Sequence, residues 1–172
     1  MTTITDIKPI DFNDKTVVKN EINDFCSKYA YADVEHALEI SPSGNTYSLI
    51  GTKGIVNSEI IGKDVLKGSI SAHNHPVETG KDRYDSFSIY DLKFANRNKA
   101  GKQYLISGER RNVFELTKYY AEAELDKAWQ TAKDKVYERA EKGEIDLDYW
   151  EQEEILKVLN DTLEGFKFYE NF

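Results

Sequence analysis

Two of the chain's three histidines, His73 and His75, stand one residue apart and are followed at once by Pro76. Beyond eleven intervening residues lies a Ser-x-x-Asp, Ser88 to Asp91. In a strand, residues two apart share a face, so both imidazoles project together while Ile70, Ala72 and Asn74 face the other way. Ser69 and Ser71 share the histidine face and are small enough to leave room there. Paired neutral imidazoles can bind one zinc at ~2.0–2.1 Å per nitrogen. A catalytic zinc takes three protein ligands and keeps one position open. Asp91 is the natural third, because the start of a helix fixes its side chains and tolerates a carboxylate through the helix dipole.

Each piece has an ordinary reading as well. Ser88-x-x-Asp91 matches a helix-capping pattern, and an isolated His-x-His is more often an accident of a strand surface. Their joint occurrence is much rarer than either alone.

The elements that must position these residues are legible in outline. Asp14 to Tyr29 predicts a helix, with Val18, Ile22, Phe25 and Tyr29 on one stripe. "VEHALEI" and "NTYSLIGTKGIV" predict two strands joined at the turn formers of "SPSGN". "NSEIIGKDVLKGS" holds room for a short helix between glycines. "SISAHNHP" reads as a strand stopped by Pro76, and Val77 to Phe87 as a polar loop. A short helix follows over "SIYDLKFANRNKAG", then strands "KQYLISG" and "NVFELT" around a "GERRN" turn. This is a mixed α/β layer.

Beyond Lys118 the pattern changes. Ala121, Leu125, Trp129, Ala132, Val136 and Ala140 form an amphipathic helical stripe, and "YWEQEEILKVLNDTLEGF" a second helix with Ile155, Leu159 and Leu163 in register. Residues 118–172 carry 15 acidic and 8 basic side chains, a net of −7 that leaves −1 for residues 1–117. The expected domains are therefore 1–117 and an acidic helical extension, 118–172. Such a pair of helices is expected to present a solvated outer face over a packed inner stripe rather than a dedicated docking arm.

Composition excludes several classes. Apolar and charged fractions of 40% and 31% fit a globular chain. No apolar run approaches the ~20 residues of a membrane span, and "MTTITDIKPIDFNDK" has no basic start leading into an apolar stretch, so no secretory signal is expected. A net charge of −8 argues against general nucleic-acid binding. Cys26, the single cysteine, excludes an internal disulfide and Cys-rich zinc fingers, and is expected to pack on a helix.

"HNHP" followed by "SFSIYD" resembles the His-x-His-Pro…Ser-x-x-Asp signature of the JAB/MPN (JAMM) metalloproteases, over roughly Val34 to Thr117. The resemblance implies an α/β (α+β) fold with a mixed sheet sandwiched by helices, one zinc per chain, and hydrolysis of peptide or isopeptide bonds. Family substrates are often the C-termini of ubiquitin or ubiquitin-like proteins. Carried over by position, His73, His75 and Asp91 are the ligands, and Ser88 hydrogen-bonds the tetrahedral intermediate. The family's general base is a glutamate on an early strand; Glu35, which opens the strand after the first helix, is the first candidate and Glu39 the reserve.

The eleven-residue loop is longer than is usual in the family, and the substrate-gripping insertions of its eukaryotic members are not recognisable. The "SFSxxD" wording resembles the bacterial and phage branch, which implies a cytoplasmic location in a bacterium, or in a host cell if phage-encoded. Tyr84, Phe87 and Tyr90 are candidates either to touch a protein or peptide substrate or only to pack the loop. The apolar stripes of the C-terminal helices are candidates for a homodimer seam. A non-catalytic JAB-like protein of phage morphogenesis or host interaction is the alternative expectation.

Overall fold

The computed structural model describes residues 1–77 and 86–172. Among them the chain forms seven strands, all in one sheet, and five helices. In order these are β1 (Thr3–Pro9), α1 (Lys15–Tyr29), β2 (His36–Ser41), β3 (Asn45–Ile50), a 3-10 turn at Ser58–Ile61, α2 (Lys63–Leu66), β4 (Ile70–Asn74) and α3 (Ile89–Asn98). They continue as β5 (Lys102–Ser107), β6 (Arg110–Leu116), α4 (Glu122–Glu141), α5 (Leu147–Thr162) and β7 (Phe166–Glu170). The strand order is β1-β3-β2-β4-β5-β6-β7, antiparallel throughout except between β4 and β5. That parallel pair needs a crossover connection, and α3 lies within it.

Each face of the sheet buries its own cluster. On one, Val18, Ile22, Phe25 and Cys26 of α1 pack on Leu38, Ile40, Ala72 and Ile106. Asp14 caps this helix by accepting from the N–H groups of Thr16 and Val17. The Cys26 thiol is buried there, which pushes its pKa up to about 11 and makes it unreactive. On the other face, Leu92 and Ala95 of α3, Ala132 and Val136 of α4, and Ile155, Leu156 and Leu159 of α5 cover Leu105, Phe114 and Leu116. Residues from both sides of Lys118 thus share one cluster, and β7 adds to the sheet beside β6.

The ends of the chain differ from expectation. β1 has no clean period-2 pattern because its pairing with β3 shifts register between Ile4 and Asp6, and its residues are exposed. The second C-terminal helix stops at Thr162 instead of continuing to Phe166, and Phe166 begins a strand. Gly165 makes that reversal: its φ is +73°, and a Cβ there would stand 2.7 Å from Lys118 Cβ. The strand expected over "NTYSLIGTKGIV" ends at Ile50. Its continuation folds back, with Thr52 N–H donating to Ile55 O at 2.9 Å.

Candidate metal centre

β4 lies between β2 and β5, with Ala37 opposite His73 and Glu39 opposite Ser71. The alternation holds: Ile70 and Ala72 meet α1, whereas His73 and His75 face a cleft of about 1310 Å³ on the other side. Ser71 adds only a small side chain beside them. The two Nε2 atoms are 3.2 Å apart.

Asp91 arrives from the first turn of α3. Its Oδ1 lies 3.3 Å from His73 Nε2, and its Oδ2 lies 4.0 Å from His75 Nε2. Among the described residues, His73, His75 and Asp91 form a group that could hold a metal ion, their donor atoms all within 4.8 Å of one another.

Ser88 caps α3. Its backbone N–H and its Oγ both donate to Asp91 Oδ2, each at 2.7 Å, and Asp91 N–H reaches back to Ser88 Oγ at 3.4 Å. The capping pattern and the ligand pattern are therefore one structure. The expected role for Ser88, donation to an oxyanion, meets a competitor here, since its single hydroxyl hydrogen is directed at Asp91.

Glu35 and Glu39 line the same cleft; Glu39 lies within β2, whereas the strand starts at His36 and Glu35, expected to open it, immediately precedes it. Burial raises the pKa of Glu35, and the Asp91 charge adds to that, against His73 and a hydrogen bond with the Val56 backbone. Glu39 lies deeper, fully buried two same-face rows further along the sheet, and accepts from Ser71 Oγ at 2.7 Å. Burial pushes its carboxyl up to about 7 despite hydrogen bonds from Ser58 and Ser71. Gly51 brings Val56 to Glu35: the folded-back chain passes so close that a Cβ on Gly51 would meet Ile55 O at 2.1 Å.

The three ligand candidates divide their protons unequally. Asp91 is buried, which opposes ionisation, but His73, His75 and the Ser88 backbone hold it well below the ordinary carboxylate range. His73 is likewise buried against charging, yet Asp91, with Glu35 and Glu39 behind it, raises its pKa. Burial and the neighbouring His73 push His75 down to about 4. The metal-free centre therefore holds an Asp91 carboxylate beside His73, with His75 neutral.

Of the aromatic candidates, Phe87 takes the packing alternative: it is fully buried, its ring 4.6 Å from Phe114 and 5.8 Å from His73. Tyr90 is 77% exposed at the cleft. Tyr84 lies outside the described residues, as does most of the long loop. His36 faces away from the cleft and stacks on Tyr29 at 3.9 Å. Sequence reasoning missed the anchoring just before Ser88. Ser86 N–H donates to Gln152 Oε1 of α5 at 3.0 Å and Ser86 Oγ to Asn112 Oδ1 at 3.1 Å, so the C-terminal helix helps hold the segment that enters α3. It also missed the role of Asn74, whose carboxamide bonds the backbone on either side of Glu35. The pattern of alternation gave only its direction, away from the cleft.

No protein-family model, no curated protein and no solved structure matches this chain.

Proposed function

We propose that this chain is a zinc-dependent hydrolase of the JAB/MPN type that cleaves peptide or isopeptide bonds, with the C-terminus of a ubiquitin-like protein as its substrate class. One observation carries the reading: the His73, His75 and Asp91 donor atoms converge within 4.8 Å at a cleft that Glu35 also lines. Two imidazoles and one carboxylate are a donor set used by catalytic zinc, whereas structural zinc sites use four protein ligands. Bound zinc would supply Lewis acidity toward the scissile carbonyl and lower the pKa of a water toward ~7.

Glu35 is the general base in this reading. Its carboxyl couples electrostatically to both His73 and Asp91, whereas Glu39 couples to His73 alone of these and accepts a hydrogen bond from Ser71. A raised pKa suits a group that takes a proton from water and returns it to the leaving amine. Glu39 helps to shape the cleft floor. Tyr90 at the rim is available to an extended peptide.

A second reading, a JAB-like module that binds metal without turnover, is favoured by the Ser88 hydroxyl being directed at Asp91. Metal analysis and assay of ubiquitin-like C-terminal fusions separate the two. The hydrolase should bind one zinc per chain, lose it in His73→Ala, and cleave the fusion. Glu35→Gln should keep zinc and lose about 10²–10⁴-fold in turnover. Zinc binding without cleavage would support the second reading, and purified protein that refuses added zinc would end both.

A further inference from the structure

We infer that Asn74, the residue between the two histidines, is a positioning residue for the Glu35 carboxyl, an inference that rests on Glu35 being the base of the proposed hydrolase. Extending the register that pairs Ala37 with His73 places His36 opposite Asn74 and Val34 opposite Pro76. The ladder fails at that point, because proline has no N–H to give to Val34. The Asn74 side chain takes over. Its Oδ1 accepts from His36 N–H at 2.6 Å, and its Nδ2 donates to Val34 O at 3.1 Å. A carboxamide carries the same acceptor and donor as a peptide group, so this fully buried side chain prolongs the ladder by one step after the main chain has turned away.

The two bonds bracket Glu35. On the opposite edge Glu35's own N–H donates to Thr52 O at 2.7 Å, and Gly51 N–H donates to Glu35 O at 2.8 Å. The backbone at Glu35 is thus held from both neighbouring strand positions, and its side chain leaves the sheet toward the histidines. His73-Asn74-His75 acts as one unit: the odd positions offer metal donors on one face, and the even position sets the base across the strand edge. A displacement of ~1 Å in such a group costs on the order of 10²-fold in rate. Aspartate would turn an acceptor toward Val34 O, and alanine would leave two backbone groups unpaired.

The test uses the full chain with Asn74→Ala and the isosteric Asn74→Asp, which retains size if the alanine variant fails to fold. Three readouts are taken: zinc affinity, amide exchange of His36 in metal-free protein, and kcat and KM on a ubiquitin-like C-terminal fusion. The expected result is zinc affinity within about threefold of wild type and His36 exchange at least about tenfold faster. kcat should fall about 10- to 100-fold with KM little changed, and adding Glu35→Gln should cause no loss beyond that of Glu35→Gln alone. Unchanged His36 exchange, or a fall in zinc affinity that matches the fall in kcat, would overturn the inference. If wild-type protein neither binds zinc nor cleaves, the hydrolase reading fails by itself. The clamp is then decided by His36 exchange together with the ¹³C chemical shift of the Glu35 carboxyl at fixed pH, which should differ from wild type in both variants; if neither changes, Asn74 does not position Glu35.

Discussion

Ser88 and Asp91 share one carboxylate oxygen: Asp91 Oδ2 accepts both the backbone N–H and the hydroxyl of Ser88, each at 2.7 Å, while Oδ1 is turned toward His73. The cap of α3 therefore also orients the candidate ligand. One oxygen is held by the helix start, and the other is presented to the centre.

This arrangement predicts two separable effects of Ser88→Ala. Loss of the cap should lower the stability of the metal-free protein by about 1 kcal/mol. Loss of the hydroxyl that fixes Asp91 should weaken zinc binding by about 10- to 100-fold. Chemical denaturation and a competitive zinc titration read the two separately. A stability loss with unaltered zinc affinity would assign Ser88 to the helix alone.

Zinc binding should release protons near neutral pH. Asp91 is already ionised and His75 already neutral there, with pKa values pushed down, so His73 with its raised pKa is the ligand that must give up a proton. Affinity should rise as pH increases through the His73 titration. Calorimetry in two buffers of different ionisation enthalpy measures the release. Observed heats that do not depend on the buffer would contradict this proton distribution.

Glu39 sets a pH dependence of the opposite kind to that of a salt-bridged acid. Its folded pKa, about 7, lies above the unfolded carboxyl value, so its contribution is fully present below the unfolded pKa and is lost as pH rises through about 7. Glu39→Gln removes the buried charge. The variant should gain on wild type between pH 5 and pH 8, by up to about 3 kcal/mol, in urea melts of metal-free protein. A difference that does not change with pH would show that Glu39 stays ionised throughout.

Residues 118–172 should be required for the fold. Truncation after Thr117 strips α4, α5 and β7 from Leu92, Phe114 and Leu116 and removes the Gln152 acceptor from Ser86. The fragment should be insoluble, and Leu156→Ala in the full chain should cost about 2–5 kcal/mol. A soluble fragment with native-like circular dichroism would show instead that the helices are an add-on.

Much of this was readable from residue order. The α1 stripe, the two faces of β4 and the helix start at Ser88 all follow from local periodicity, which depends only on the geometry of one element. His73, His75 and Asp91 could be nominated together because a strand fixes one pair and a cap fixes the third. Where local pattern was broken, expectation failed with it: the register shift hid β1, and Gly165 turned the chain from α5 into β7 against the helical reading. Phe87 looked like a rim residue in a polar loop, yet its burial depends on Phe114 from a strand distant in sequence.

The sequence by itself determined which side chains share a face, and hence the metal candidates. Only the tertiary structure decided how far apart they stand and what surrounds each nearby carboxylate. Period 2 alone puts Glu35 and Glu39 on one face, and it was the resemblance that ranked Glu35 first and Glu39 in reserve. They are separated by what lies across the sheet, with Ser71 opposite one and the Asn74 carboxamide bracketing the other. Those partners come from β4, whose place beside β2 is fixed by long-range pairing, and no local spacing within β2 encodes it.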